Sequence, residues 1–178
     1  MVEKVKSDRD RQEQEMYFLI DKIELSDLQQ QFMKSRWLSQ MLWLENKAQQ
    51  NRNRYYFLRL LTIIGGIIVP ALVSININAN DVREIIGWIA FGLSQVVAIS
   101  AAVEEFFHYG ERYRHYRHTA ELMNTEGWQF FQLSGPYRHS VSHTEVYADF
   151  AERVENIMQQ DVKGYLSEVI KDKTEQKS

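Results

Sequence analysis

Two uncharged apolar runs stand close together in the middle of an otherwise polar chain. Residues 60–77 read LLTIIGGIIVPALVSINI, and residues 85–103 read IIGWIAFGLSQVVAISAAV. As helix, the first run would extend about 27 Å, close to the thickness of a bilayer's hydrocarbon core. Its only polar side chains are Thr62, Ser74 and Asn76. The second run is bounded sharply by Glu84 and Glu104. A buried helix of a soluble bundle keeps a polar stripe or stays shorter than this. The expected fold class is therefore an all-α membrane protein: a two-transmembrane helical hairpin with long cytosolic helical arms. Its parts would be an N-terminal helical arm (1–59), a first transmembrane helix (60–77), an external loop (78–84), a second transmembrane helix (85–103), and a C-terminal helical hairpin with a tail (104–178).

Basic residues orient the hairpin. Lys47, Arg52, Arg54 and Arg59 precede the first run, and Arg112, Arg114 and Arg117 follow the second. The short connection carries Arg83 alone. Lys and Arg are retained on the cytoplasmic side, so both termini are expected there, with the chain in the cell (inner) membrane. Tyr55, Tyr56 and Phe57 before the first run, and Phe106, Phe107, Tyr109 and Tyr113 after the second, would meet at that same interface. Residues 2–15 are densely charged and the first apolar run starts late, so no cleavable signal peptide is expected.

The arms read as helix. Only two prolines occur in 178 residues, and neither Gly nor Pro interrupts residues 1–64. Asp27 is the expected cap of a helix running toward Asn51 and on into the first apolar run, with Phe32, Trp37, Met41, Leu44 and Ala48 near one side. The second transmembrane helix is expected to continue through His108 to about Gln132, where Ser134, Gly135 and Pro136 break it. Ser142 with Glu145 would form a capping box opening a last helix, residues 144–170. Val146, Phe150, Val154, Ile157 and Val162 supply its apolar positions.

Composition removes several function classes. The net charge of −3 offers no electrostatic footprint for nucleic acid. The absence of cysteine excludes disulfides, thiolate metal sites and cysteine nucleophiles. No phosphate-cradling glycine loop and no nucleophile elbow is present, so neither an enzyme nor a bound cofactor is expected.

Four features remain that can carry chemistry. Gly65, Gly66 and Pro70 lie inside the first run; Pro70 cannot donate to the Gly66 carbonyl, which predicts a kink or hinge, while the glycines admit a neighbouring helix. On the second run Ser94, Gln95, Ala98, Ala101, Ala102 and Glu105 share one side, with Ile89, Leu93, Val96 and Val103 largely opposite. This small, polar side suits either a helix–helix contact or the lining of a water-filled pore, and both remain open. Repeated around a symmetric axis, Glu105 would form a carboxylate ring that attracts cations; alternatively it pairs with Arg59 or Arg112. Finally, His108, Glu111, His115 and His118 follow one another at helical spacing. They are weak candidates for a divalent metal, because the ordered pair of histidines beside a general base is missing, and the expected metal complement is none.

The order of parts resembles the SLATT family, the SMODS- and SLOG-associating two-transmembrane proteins, with related bacterial two-transmembrane proteins of unknown function. The stretch RWLSQMLWLENKAQQNRNRYYFLRLLTIIGGIIVPAL is similar to that family's lead helix and first span, with its late proline. VEEFFHYGERYRHYRHTAELMNTEGWQFFQLSGPY is similar to the end of its second span and the helix that follows. A terminal helix with Phe150 and Glu155 completes the likeness, which extends over residues 28–160. The resemblance implies a pore-forming membrane effector without catalytic residues. No sensor domain is expected within residues 1–178, so the resemblance implies an input from a separate signalling partner. Two functions are thus expected in competition. One is a homo-oligomeric, ion-conducting pore with cation preference, embedded in membrane lipid. The alternative is a non-conducting membrane scaffold whose cytosolic helices recruit partners.

Overall fold

The computed structural model describes residues 2–74 and 80–175, with side-chain surroundings over residues 11, 13–74 and 82–162. The end of the first apolar run (75–77), residues 78–79 of the expected loop, and the last residues of the tail lie outside the described residues. The element order is α1 (Val2–Lys22), α2 (Asp27–Phe32), a π-helical turn (Met33–Leu38), α3 (Ser39–Ser74), α4 (Asn80–Phe107), α5 (Tyr109–Phe131), a 3-10 turn (Gly135–Tyr137) and α6 (His143–Glu175). Among the described residues there is no strand, so the all-α expectation holds.

Three helix boundaries differ from expectation, each for a local reason. The cap of α2 is Ser26, not Asp27. The Ser26 hydroxyl accepts the Gln29 N–H at 3.4 Å, and the Gln29 side-chain oxygen accepts the Ser26 N–H at 3.0 Å. Asp27 instead places its carboxylate in the first turn, where the helix dipole favours an anion. The helix that follows the second apolar run is not continuous. His108 stands at φ 49, in the left-handed region, so α4 ends at Phe107 and α5 begins at Tyr109. At the opening of α6 the Glu145 carboxylate accepts the N–H of Val141 at 3.3 Å, one residue earlier than a capping box on Ser142 would place it.

The break after α5 lies where Ser134, Gly135 and Pro136 predict it. Leu133 takes φ 46, in the position where helix ends usually place glycine, and the Ser134 N–H reaches back to the Gln129 carbonyl at 2.9 Å. Gly135, at φ 57, then redirects the chain at a conformation that most side chains would resist.

The chain divides into two compact units. One joins Met1–Glu45 to Arg117–Ser178, and the other is Asn46–Tyr116. The first unit has its own packed core. Met16 and Ile20 come from α1; Met33, Trp37, Leu38 and Met41 from the π-turn and the start of α3; Met123 and Phe130 from α5; Tyr137 from the 3-10 turn; and Val146, Phe150 and Val154 from α6. Trp37, Met41 and Leu44 are buried as their spacing predicts, and so are Val146, Phe150 and Val154, whereas Val162 is exposed. The wider π-turn explains how the adjacent Trp37 and Leu38 both reach this core: its i→i+5 bonding rotates each side chain less than an α-turn would. Phe130 stacks on Phe150 at 4.3 Å between centroids, and Trp37 meets Phe150 and Phe131 edge-on.

The second unit carries both apolar runs, on α3 and α4. These two helices are long and apolar enough to cross a membrane. Their apolar windows are only 6% and 11% buried within the chain. Ile63, Ile64, Ile67, Val73, Trp88 and Phe91 are among the large side chains left exposed.

Candidate functional site

The small, polar side of α4 is best located by the side that is already occupied. Gly65 of α3 is buried, and a β-carbon built there would come within 2.1 Å of a methyl of Val97. The α3–α4 contact therefore runs through Val97, with Ala90 and Ser100 also buried and Leu93 half-buried beside it. Of the two adjacent glycines, only Gly65 makes the close approach; a side chain at Gly66 would meet nothing within 4 Å. Pro70 is exposed within α3, which continues as helix to Ser74.

Gln95, Ala98, Ala101, Ala102 and Glu105 are all exposed, and Ser94 is half-buried. The expected side thus remains a single surface and is not used by the α3–α4 contact. Leu93, placed opposite by spacing, belongs to the occupied flank instead.

Hydroxyls on these helices are satisfied internally. Thr62 donates to the Leu58 carbonyl at 2.9 Å, Ser74 to Pro70 at 2.7 Å, Ser94 to Phe91 at 2.7 Å and Ser100 to Val96 at 2.7 Å. Gln95 differs: its amide makes no hydrogen bond to any described residue. Glu104 and Glu105 likewise form no ion pair with a described residue, so the expected alternative of pairing with Arg59 or Arg112 is not realised within the chain.

The histidine run does not assemble. It presupposes a continuous helix, and the left-handed turn at His108 takes that residue off the common face. His108 Nδ1 lies 3.7 Å from Glu111, and the His115 ring meets Tyr116 edge-on. Among the described residues no three His, Asp or Glu side chains gather as metal ligands would.

A buried polar network in the first unit has no counterpart in the sequence reading. The Glu126 side chain is 8% exposed. It accepts hydrogen bonds from the Tyr137 hydroxyl and from Arg153 Nε, the latter at 2.7 Å. Burial, reinforced by that carboxylate, pushes the Tyr137 hydroxyl well above the ordinary tyrosine range. Nearby, Arg36 grips Glu155 bidentately at 2.7 and 2.9 Å, and this hydrogen bonding draws the Glu155 carboxyl below its usual value. Arg36 and Glu155 line a cleft of about 490 Å³ with Gln40, Trp43, Thr119 and Asp161, and Thr119 donates to Asp161 at 2.7 Å. The signal for the network was present: Glu126 interrupts the apolar series Ala120, Met123 and Phe130 on α5. A lone carboxylate in such a stripe requires a buried donor.

Fold and surface together define an all-helical protein with two helices fit to cross a membrane and an unoccupied small, polar side on one of them. Residues 39–145 match the family model described as a protein of unknown function (DUF4231), and the chain belongs to that family. No curated protein and no solved structure matches it.

Proposed function

We propose that the chain is a two-transmembrane protein with both termini in the cytoplasm, and that copies associate in the membrane as a cation-preferring pore. In this reading α3 and α4 form a hairpin across the cell membrane, with the basic residues that flank them on the cytoplasmic side. The observation that carries the pore is the exposed, unpartnered amide of Gln95 on the surface of α4 that the α3 contact leaves free. Facing lipid, that amide would forfeit hydrogen bonds at a cost of several kcal/mol. Around a symmetric axis it meets water or its own copies. Glu105 lies ten residues later, about 15 Å along the helix and about 80° around it, at the other edge of the same small, polar side. It would stand at the cytoplasmic mouth and attract cations. The SLATT likeness of the flanking motifs agrees with this role, with a separate partner supplying the signal.

Reconstitution of the purified protein in planar bilayers tests the proposal. Reproducible unitary currents are expected, smaller in Gln95→Leu and with cation preference weakened or reversed in Glu105→Lys. Silence in every condition would leave the second reading, a non-conducting scaffold. That reading draws support from the independent core of the first unit and its surface cleft, which suit recruitment of a partner.

A further inference from the structure

We infer that Phe106, Phe107 and Tyr109, with the Arg54 guanidinium over the last ring, form a seat for the phosphate headgroup of an anionic membrane lipid. The inference rests on the membrane reading above and adds a specific lipid contact to it.

The seat is built by the strained residue at the α4–α5 break. On a regular helix, side chains two residues apart point to nearly opposite sides. Phe107 and Tyr109 nevertheless stack, with ring centroids 5.3 Å apart and planes 19° from parallel. His108 between them, at φ 49, supplies the turn that brings both rings to one side. Phe106 extends the series edge-on to Phe107 at 5.0 Å. Phe106 is 78% exposed and Phe107 40% exposed, so the rings form an open ladder leading away from the apolar helix.

Arg54 closes the ladder. Its guanidinium lies 5.6 Å from the Tyr109 ring centroid, a cation–π distance. It is held there because α3 and the start of α5 approach closely: a β-carbon on Gly110 would stand 3.0 Å from the Tyr55 ring. Yet the guanidinium makes no hydrogen bond or ion pair with a described residue, which leaves its N–H donors available. An oriented, charged fork without an acceptor fits a phosphate diester, which can take two parallel N–H bonds.

Charge around the seat favours an anion. In the stretches 46–59 and 103–116, Lys47, Arg52, Arg54, Arg59, Arg112 and Arg114 face only Glu104, Glu105 and Glu111 in the count of charges. Exposed aromatic rings beside the cation favour a lipid over a free phosphate, since they match the depth where acyl chains give way to headgroups.

The test is native mass spectrometry of the full-length protein in detergent micelles doped with phosphatidylglycerol or phosphatidylcholine. Preferential retention of phosphatidylglycerol is expected, reduced roughly fivefold in Arg54→Gln and less in Arg54→Lys. Arg83→Gln, in the first turns of α4, should leave it unchanged. Arg54 is exposed, so an unaltered helical melting curve for Arg54→Gln is expected alongside. Equal retention of the two lipids by the unmodified protein would overturn the inference, as would an unchanged preference in Arg54→Gln. Displacement of the lipid by millimolar glycerol 3-phosphate would assign the site to a free phosphate ester and overturn it too. Alkaline carbonate extraction of native membranes separates the two levels of the argument: release of the protein removes the membrane reading itself, whereas retention without lipid preference removes only the headgroup seat.

Discussion

The six-membered ring of Trp37 fills the space that a side chain on Gly127 would need. A β-carbon at position 127 would lie 2.0 Å from Trp37 Cζ2. The indole N–H meanwhile donates to the Met123 carbonyl at 2.9 Å, so the ring is held by a hydrogen bond as well as by shape. Trp37 is thus buried without any partner chain. Gly127→Ala should destabilise the first unit by about 1–3 kcal/mol, because neither the indole nor the α5 backbone can withdraw freely. Denaturant unfolding followed by tryptophan fluorescence reads this directly; an unchanged midpoint would contradict it.

Gly65 and Gly66 should respond oppositely to the same small change. Gly65→Ala introduces overlap with Val97 and should cost about 1–3 kcal/mol. Gly66→Ala meets open space and should be neutral or stabilising by up to about 1 kcal/mol, as helix propensity favours alanine. Val97→Ala combined with Gly65→Ala should recover part of the loss, the signature of a shared contact. Thermal melts of the four proteins in detergent would check the pattern, and similar effects at both glycines would disprove it.

Tyr137 should make the protein sensitive to alkali. Its folded pKa is raised above the ordinary value of 10.0, first by burial and then by its hydrogen bond to Glu126. The folded state therefore holds the proton more tightly than the unfolded chain. That contribution is complete below about pH 10 and is lost as pH rises from there toward the folded value. Tyr137→Phe should cost about 1–3 kcal/mol at neutral pH, since Glu126 loses a buried donor. It should also flatten the decline in stability above pH 10, measurable as melting temperature against pH.

The Arg36–Glu155 pair acts at the other end of the pH scale. Glu155 titrates lower in the folded protein, chiefly through its hydrogen bonds from Arg36. Its stabilisation is present above the unfolded value of about 4.5 and disappears as pH falls through the folded one. Both side chains are more than a third exposed, so solvent screening limits the effect to under about 1 kcal/mol. Glu155→Gln should shift the acid limb of the stability curve slightly and leave the region above pH 6 nearly level; a large loss at neutral pH would show a different role.

The sequence by itself determined the kind of element at nearly every described position. Two long apolar runs, the scarcity of Gly and Pro, and the Ser134–Gly135–Pro136 break specify helices and one of their main interruptions, because each signal is local. The spacing of Trp37, Met41 and Leu44, and of Val146, Phe150 and Val154, also chose the buried sides, since one helix carries that period within itself. It further marked Gln95, Ala98 and Glu105 as one surface. Tertiary structure decided what each surface meets. Gly65 rather than Gly66 receives Val97, Glu126 is buried beside Tyr137 and Arg153, and a left-handed His108 separates α4 from α5. The π-turn that brings both Trp37 and Leu38 inward belongs to the same class. The period of α5 signals that Glu126 is buried, but no period or propensity names the partners in these contacts, for the energies involved, steric overlap, desolvation of a carboxylate and strain at one residue, depend on the atoms that the rest of the chain places opposite.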